Sequence, residues 1–419
     1  MHIAAFEALL TDAGREVLAG IDPRVVVADR LAAASRLRAD ARVAALDPAL
    51  PVSELVNALL TQVTLRERGR AKFGDRAAAM FFTPDGLEQS TRSTVAAYRA
   101  ERTTRAAGFR VPVEAPAADL GCGIGADLLA LAERGVPVEG MDIDPLKVAV
   151  ARANIAALGL VDHAWVREGD VTEASPGDHR LLFSDPARRG GRGRVFDPAA
   201  YSPSWGTATA LAEGADAACL KAAPGIPHEA IPEEAATEWI SVDGELKETA
   251  LWFGSLAAEA PRRRATVLHE REGLLAREGA IAHLDAEPDL GPAPVAPVRR
   301  HLYDPDPAVV RSHLVAEAAA RVDGSLLDER IAFFTSDRFE TSPLWRVLEV
   351  IEAMPFSLKR LRSFLREHGI GTVTVKKRGS AVDTEKLRRD LRPTGPEAAT
   401  VVLTRIGDRP YSLVCRAPK

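Results

Sequence analysis

The sequence predicts an α/β protein with a mostly parallel sheet, preceded by a helical segment and followed by a small α+β unit. Between residues 117 and 221, short apolar runs alternate with segments of helical periodicity, which is typical of β-α-β units. Residues 1–105 are dominated by Ala, Leu and Arg, with apolar residues at helical spacing. A chain of 419 residues is too long for one core, so we expect several domains.

The composition is that of an ordinary soluble protein from a reducing compartment. The chain is 46% hydrophobic and 27% charged, and its three cysteines lack the spacing of metal ligands. The N-terminal residues include Glu7, Asp12 and Glu16, unlike a secretory signal or a membrane span. We therefore expect a cytoplasmic protein with no metal and no membrane segment. The oligomeric state is not predicted.

The helical segment contains an unusual stretch at residues 72–91. It contains Met80, Phe81 and Phe82, followed by a Pro-Asp-Gly turn. Two interpretations are open: a lid over a bound ligand, or an apolar seal between the helices and the sheet. We favour the seal, because large apolar side chains usually pack in a core.

The sheet is organised around the sequence AADLGCGIG at residues 117–125. An apolar run that ends in Asp119 and is followed by Gly121, Gly123 and Gly125 predicts a buried strand that turns sharply into a helix. Glycine is needed in such a turn because a side chain would keep the backbone away from a ligand.

A second predicted strand, residues 136–143, contains Asp142 near its end. In a doubly wound sheet, a carboxylate at this point accepts hydrogen bonds from two ribose hydroxyls. The G-x-G-x-G spacing lacks the third glycine position of the dinucleotide fingerprint, which argues against a pyrophosphate ligand.

The sequences D-L-G-C-G-I-G and V-E-G-M-D-I-D resemble motifs I and II of class I S-adenosylmethionine-dependent methyltransferases. The resemblance implies a Rossmann-like methyltransferase domain with a seven-stranded sheet over residues 106–278, and S-adenosyl-L-methionine as cofactor. It implies cofactor contacts at Asp119, at the three glycines and at Asp142, which would hold the ribose. It also places Asp170, after the third predicted strand, at the adenine amino group.

A fourth predicted strand, residues 180–184, is followed by Asp185-Pro186-Ala187-Arg188. In the resembled family, enzymes that methylate base nitrogens carry Asp, Asn or Ser here, followed by Pro-Pro and an aromatic residue. The acid or amide aligns the target amine, and the aromatic ring stacks on the base. Asp185 and Pro186 match and are the predicted catalytic residues. Ala187 and Arg188 depart from the pattern.

The residues after this motif are rich in arginine and include two aromatic residues. Tyr201 and Trp205 are candidates to replace the missing stacking ring, with a place in the core as the alternative. The arginine charges require an anion or an acidic cluster nearby. Guanidinium groups suit phosphate, so we predict substrate binding, with pairing to acids of the helical segment as the alternative. The candidates are Arg188, Arg189, Arg192 and Arg194.

Further β-rich runs complete the predicted sheet. Residues 215–221 form a fifth strand, residues 238–253 a hairpin around an Asp-Gly turn, and residues 264–269 a last strand. We expect seven strands in all, with the final one antiparallel.

The C-terminal part is predicted to form a second folded unit. Residues 279–339 are expected to be a proline-rich linker and a connecting helix. Residues 340–419 alternate helices with β-rich runs and close on a hairpin, which resembles the THUMP-like module found behind such methyltransferase domains. THUMP domains deliver RNA to modification enzymes, so the resemblance implies an RNA partner. Residues 359–392 carry a net charge of +7 in a chain of −5, consistent with a basic docking surface or a solvated helix face.

Together these features predict an S-adenosylmethionine-dependent methyltransferase that modifies a base nitrogen of a structured RNA, either rRNA or tRNA. The sulfonium is already activated, so neither a metal nor a covalent nucleophile is required. Two alternatives stay open because of Ala187 and Arg188. One is a methyltransferase for a small molecule or a protein, and the other is an inactive scaffold that binds cofactor and RNA.

Overall fold

The computed structural model describes residues 2–106, 115–188, 197–258, 260–270 and 281–418. In these ranges no helix is both long enough and apolar enough to cross a membrane.

The chain divides into two compact units that alternate along the sequence. The first unit contains Met1–Ala236 and Thr249–Ala260, and the second contains Thr237–Glu248 and Pro261–Lys419. The predicted helical segment and the glycine-rich turn therefore belong to the same compact unit.

The N-terminal part of the first unit is helical, as its composition predicts. Side-chain oxygens begin several of its helices: Thr11 accepts from the Gly14 N–H at 3.1 Å, and Thr83 from the Gly86 N–H at 2.9 Å. The helices are α1 (Ile3–Leu10), α2 (Asp12–Ala19), α3 (Pro23–Ala28), α4 (Arg30–Ala39), α5 (Ala41–Leu46), α6 (Val52–Phe73), α7 (Pro84–Gln89) and α8 (Ser93–Ala106).

The side-chain amides of two buried residues form hydrogen bonds with the backbone of the segment before α7. Gln62 exchanges two hydrogen bonds with the main chain of Phe82, at 2.7 and 3.0 Å. Asn154 accepts from the Phe81 N–H at 2.7 Å and donates to the carbonyls of Phe81 and Ile124, at 3.1 and 3.0 Å. Met80, Phe81 and Phe82 are at most 3% exposed. These three residues are thus packed in the core, as the seal interpretation predicts.

A largely parallel sheet follows the N-terminal helices. Its elements, with the helices between them, are β1 (Ala117–Leu120), α9 (Ala126–Ala132), β2 (Val138–Asp142), α10 (Pro145–Ala157), β3 (Ala164–Glu168), β4 (Leu181–Ser184), the short pair β5 (Ala187–Arg188) and β6 (Tyr201–Ser202), α11 (Trp205–Glu213), β7 (Ala217–Ala222), β8 (Ala236–Val242), β9 (Glu245–Gly254), α12 (Ser255–Ala258), β10 (Arg263–Leu268) and β11 (Ile281–Asp285).

The strand order is β3-β2-β1-β4-β7-β9-β8-β10-β11, so among the described residues this sheet has nine strands and not the predicted seven. Strands β3, β2, β1, β4 and β7 run parallel to one another, while β9 is antiparallel to β7. We expected the run at 264–269 to be the antiparallel strand. Instead β10 pairs parallel with β8, and β11 extends the edge antiparallel to β10.

The predicted Asp-Gly turn is confirmed between β8 and β9. Asp243 and Gly244 both have positive φ, at 50° and 82°, which is the backbone of a type I′ turn. The right-handed twist of paired strands favours this turn, so the hairpin is determined locally by two residues.

The second unit contains a sheet of its own. Its elements are β12 (His301–Pro305), α13 (Pro307–Arg311), α14 (Val315–Ala320), β13 (Ser325–Asp328), β14 (Ile331–Ser336), β15 (Trp345–Pro355), α15 (Leu358–Glu367), β16 (Ile370–Lys377), α16 (Thr384–Leu391), β17 (Glu397–Ile406) and β18 (Arg409–Arg416). The order of the strands is β13-β14-β12-β15-β18-β17-β16.

The prediction of a linker and connecting helix at 279–339 is wrong. Strand β12 pairs with both β14 and β15, so residues of the supposed linker lie inside the C-terminal sheet. Two groups of prolines led to the prediction. Those at 288–297 lie where the structure has turns and extended chain before β12, whereas Pro305 ends β12 and Pro307 begins α13. Strand β12 has only five residues and pairs with strands about 30 or more positions further along the chain, which weakens its local signal.

Helices α15 and α16 pack on the C-terminal sheet through narrow apolar stripes. Leu361 and Leu365 of α15 and Leu387 and Leu391 of α16 are buried, while several charged residues of the same helices, among them Arg366 and Arg389, are exposed. Such amphipathic helices need a sheet to cover their apolar side.

Gly86 of α7 lies against the glycine-rich turn, so the first prediction concerns this contact. A Cβ at Gly86 would be 2.4 Å from Ile124 Cγ2 and 2.5 Å from Thr83 Oγ1. Gly86→Ala should therefore lower the free energy of unfolding by about 1–3 kcal/mol in a urea titration.

Gly206→Ala is the matched control, because Gly206 is an exposed residue of α11 and a Cβ there meets no atom within 4 Å. This variant should be unchanged or slightly more stable. Equal stability of the two variants would show that α7 does not pack closely on the glycine-rich turn.

Candidate functional site

The glycine-rich turn connects β1 to α9 and leaves open space above its backbone. Gly121, Gly123 and Gly125 have φ values of +80°, +58° and +88°, a backbone conformation that residues other than glycine rarely adopt. A Cβ at Gly123 would meet no atom within 4 Å. The predicted turn is therefore confirmed, and its backbone is accessible to a ligand.

Asp142 ends β2 and ties this turn to the neighbouring strand. Its Oδ2 accepts from the Gly123 N–H at 2.9 Å, and its Oδ1 accepts from the Asp144 N–H at 3.0 Å. A carboxylate has about four acceptor positions, so both oxygens retain capacity for further donors. The open backbone of Gly123 beside such a carboxylate fits the ribose of a nucleoside cofactor.

Asp119 is buried at the end of β1 and holds the start of α9. Its Oδ2 accepts from the Leu128 N–H at 2.9 Å. Burial, together with the charge of Asp127, raises the pKa of the Asp119 carboxyl well above its usual value. Its visible role is to position the helix that follows the turn, and a direct cofactor contact stays a prediction.

Asp170 follows β3, next to the end of β2. The Gly169 N–H donates to the Asp142 carbonyl at 3.1 Å, which places Asp170 beside the Asp142 strand end. Asp170 Oδ1 accepts from the Thr172 N–H at 2.9 Å and the Thr172 hydroxyl at 2.8 Å. These bonds, the backbone one first, lower the pKa of Asp170. The carboxyl ends of β1, β2 and β3 thus each carry an aspartate.

Asp185 lies beyond the carboxyl end of β4, which is paired with β1. A Cβ at Gly121 would be 3.7 Å from the Asp185 carbonyl oxygen, so Asp185 is adjacent to the glycine-rich turn. The side chain of Asp185 is 31% exposed, and Pro186 is buried. Ligands of open parallel sheets bind at this edge.

Lys221 is a site residue that the sequence analysis missed. It projects from β7, the strand next to β4, and its Nζ lies 2.5 Å from Asp185 Oδ2 and 3.1 Å from Thr91 Oγ1. One feature of the sequence could have indicated it: Lys221 is the single charged residue of the apolar strand Ala217–Ala222. A lysine in a largely buried strand needs a partner for its ammonium group. Its partner Asp185 is 36 positions away in the chain, so the sequence did not reveal the pair.

Thr91 connects this ion pair to the N-terminal helices. Its hydroxyl donates to Asp127 Oδ2 at 2.8 Å and accepts from Arg99 Nη2 at 3.2 Å. Arg99 also pairs with Asp127 and lies 4.6 Å from the ring centre of Phe183. A polar network therefore runs from α8 through Thr91 to Asp185.

The predicted arginine cluster falls mostly outside the described residues. Arg189, Arg192 and Arg194 lie there entirely, as does the side chain of Arg188, whose backbone pairs with Tyr201 in the β5–β6 ribbon. Tyr201 and Trp205 are 6% and 8% exposed and pack on each other with ring centres 5.4 Å apart. Both belong to the core, so they do not replace the missing stacking ring.

The raised pKa of Asp119 leads to the second prediction. An acid that is neutral when folded but ionised when unfolded makes the fold less stable as pH rises above about 4. Asp119→Asn removes this effect and keeps an acceptor for the Leu128 N–H. The free energy of unfolding of Asp119→Asn, relative to the parent, should therefore increase from pH 4 to pH 7 in urea titrations. A constant difference would show that Asp119 is ionised in the folded protein.

Family models match three parts of the chain. A methyltransferase domain matches residues 117–182, a THUMP domain-like model matches residues 345–417, and a domain of unknown function matches residues 2–69. The first match ends just before Asp185 and includes the three strand-end aspartates.

Relatives and a solved structure extend these matches over most of the chain. Two uncharacterized S-adenosylmethionine-dependent methyltransferases of Mycobacterium tuberculosis, from strains CDC 1551 / Oshkosh and ATCC 25618 / H37Rv, are each 36% identical over 357 residues. The alignments cover 83% of this chain and 92% of each relative. The crystal structure of a candidate methyltransferase from Porphyromonas gingivalis W83 is 19% identical, with a TM-score of 0.71, and covers 100% of this chain and 98% of its own.

The likeness to the solved structure confirms the predicted fold class. In this chain the first sheet has nine described strands where seven were predicted. The glycine-rich turn and the aspartates at adjacent strand ends match what motifs I and II imply. The extent and identity of the Mycobacterium alignments are sufficient to establish the family. The chain is a member of the S-adenosylmethionine-dependent methyltransferases and carries a THUMP-like domain at its C-terminal end.

Proposed function

We propose that this methyltransferase transfers a methyl group to a base nitrogen of a structured RNA, either rRNA or tRNA. The observation that carries the proposal is the Asp185-Pro186 step, beyond the carboxyl end of β4 and adjacent to the glycine-rich turn. The THUMP domain-like match at residues 345–417 supports RNA as the substrate class. The free cysteines Cys122, Cys219 and Cys415 are buried, which agrees with a cytoplasmic location.

The cofactor is proposed to lie over the glycine-rich turn. Asp142 accepts from the ribose hydroxyls with its remaining lone pairs, and Asp170 accepts from the adenine amino group. Gly121, Gly123 and Gly125 allow close approach of the methionine part, while Asp119 holds the start of α9 and thereby the shape of the turn. When bound, S-adenosylmethionine supplies a methyl group on a sulfonium, which needs no further activation.

Asp185 is proposed to align the target nitrogen. A carboxylate oxygen that accepts one amine hydrogen directs the nitrogen lone pair away from itself and towards the cofactor side of the pocket. The same oxygen is placed to receive the proton that the nitrogen loses after transfer. Buried Pro186 restricts the backbone that carries this carboxylate.

Two groups of basic residues are proposed to bind RNA phosphates. The first is the set named in the sequence analysis: Arg188, Arg189, Arg192 and Arg194. The second, here called the basic helix surface, contains exposed side chains of α15 and α16: Lys359, Arg360, Arg366, Lys386 and Arg389.

Other basic residues of the same region are structural. Lys376 and Arg378 pair with Asp304 at 2.7 and 3.1 Å, and Arg378 lies over the ring of Phe333. We therefore exclude both from the basic helix surface.

The substrate class is tested by labelling total RNA with tritiated cofactor, using RNA from cells that lack the protein. The parent enzyme should label RNA, while Asp185→Ala should label it at least about a hundredfold more slowly with unchanged cofactor affinity, because Asp185 acts mainly in the transition state. Full turnover of Asp185→Ala would exclude the aligning role.

Asp142→Ala is the complementary variant in this assay. It should weaken cofactor binding by about 1–3 kcal/mol in calorimetry, because the ribose loses its acceptor. If label appears only in protein or in small molecules, the substrate belongs to that class and the RNA proposal is rejected. Cofactor binding without transfer to any fraction would indicate the inactive scaffold.

Phosphate contacts are tested by the salt dependence of RNA binding. Each contact contributes about 0.7–0.9 to the slope of log affinity against log salt. The double variant Arg366→Ala and Arg389→Ala should therefore lower the slope by about 1.5 without changing cofactor affinity.

The matched control removes two exposed arginines of the N-terminal helices, Arg24 and Arg42, which pair with Asp22 and Asp40. It changes the net charge equally and should leave the slope unchanged. The same slope in both double variants would show that the basic helix surface does not contact RNA.

A further inference from the structure

The polar network behind Asp185 has no role in the function proposed above. Lys221 is only 15% exposed, yet it holds a carboxylate that must be oriented to within hydrogen-bond geometry for transfer. A lysine stem has four rotatable bonds, so a lone ammonium would fix its partner poorly. The second contact of Lys221, to Thr91, restricts it.

We propose that Lys221 and Thr91 are positioning residues for Asp185, and that the N-terminal helical segment thereby completes the active site. Lys221 engages Oδ2 of Asp185 and leaves Oδ1 to the target amine. Thr91 engages Lys221 from the segment between α7 and α8. The inference depends on the proposed aligning role of Asp185, but not on which acceptor is methylated.

The hydrogen-bond geometry of Thr91 supports this role. A hydroxyl has one donor and two acceptor positions, and Thr91 uses all three: it donates to Asp127 and accepts from Arg99 and Lys221. Its hydroxyl direction is therefore determined, and it presents a lone pair to Lys221. Valine has the same shape without these bonds, whereas serine retains the hydroxyl.

The backbone that carries Thr91 is held in place as well. The Nζ of Lys72 donates to the carbonyls of Leu87, Glu88 and Ser90 at 2.8, 2.6 and 2.7 Å, which fastens the C-terminal end of α7. Thr91 is the next residue and is 5% exposed. The position of its hydroxyl is thus set by the helical segment.

Charge gives a second reason for the lysine. Asp127 and Asp185 both lie close enough to Asp119 to interact with it electrostatically, and each of the two has its own cation: Arg99 pairs with Asp127 and Lys221 pairs with Asp185. Without Lys221, the Asp185 carboxylate would lose its paired cation and the contact that fixes its direction. The lysine therefore fixes the carboxylate direction as well as its distance from the substrate.

The kinetic test uses whichever acceptor fraction the parent labels, whether RNA, protein or small molecule. Lys221→Met should reduce kcat by about a hundredfold and Thr91→Val by about tenfold, because both loosen Asp185. Lys221→Arg and Thr91→Ser should recover most of the loss. The KM of the acceptor and the Kd of the cofactor should change by less than about twofold in all four variants.

Thr104→Val is the matched control. The Thr104 hydroxyl on α8 donates to the carbonyls of Ala100 and Glu101 in its own helix, so Thr104 is not one of the network residues described above. Its kcat should equal that of the parent. Parent-like kcat in both Thr91→Val and Lys221→Met would overturn the inference, as would a parallel loss of cofactor affinity.

A double-mutant cycle on thermal unfolding supplies a readout that needs no acceptor. If Lys221 engages Asp185, the fall in Tm for Lys221→Met combined with Asp185→Asn should be smaller than the sum of the two single falls. Strict additivity would overturn the inference. If the enzyme does not label RNA but the two substitutions are not additive in Tm, only the proposed RNA substrate is rejected.

Discussion

The hydrogen bond from the Gly123 N–H to the Asp142 carboxylate is the contact around which the first unit is organised. It joins the turn after β1 to the end of β2, and three glycines in left-handed conformations make the turn tight enough to form it. The Asp119 side chain then fixes the start of α9 by accepting a hydrogen bond from the Leu128 N–H. The Leu128 N–H is buried, and a buried donor without an acceptor costs about 1–3 kcal/mol, so the Asp119 side chain is needed at this position.

The parts of this fold that were predicted correctly are those determined by neighbouring residues. The glycine-rich turn, the Asp243-Gly244 hairpin and the helices of the N-terminal segment each have their cause within a few positions of the chain. The placement of β9 between β7 and β8 and the pairing of β12 with β15 depend on distant partners. Proline-rich sequence before β12 concealed the short strands that follow it.

The residues of the candidate site also fall into two groups: those that the local sequence indicates, and those that only the tertiary structure brings together. Asp119, Asp142, Asp170 and Asp185 could be proposed from the sequence because each ends or follows a predicted strand, and parallel strands bring their carboxyl ends to one edge. Lys221 and Thr91 were missed because the contacts of Lys221 with Asp185 and with Thr91 join residues that are far apart in the sequence. Whether an aromatic residue is core or ligand-facing is equally a tertiary property, and the burial of Tyr201 and Trp205 decides it.

The position of β18 has a consequence for how the second unit is made. In its sheet, β18 lies between β15 and β17, so in the part of the chain that the structure describes, β16 and β17 are hydrogen-bonded to the rest of the sheet through β18. It is also synthesised after every other strand of that sheet. Helices α15 and α16 emerge from the ribosome earlier, but the sheet on which they pack is closed only when β18 is inserted. The order of synthesis therefore delays completion of the basic helix surface until the whole second unit has left the ribosome.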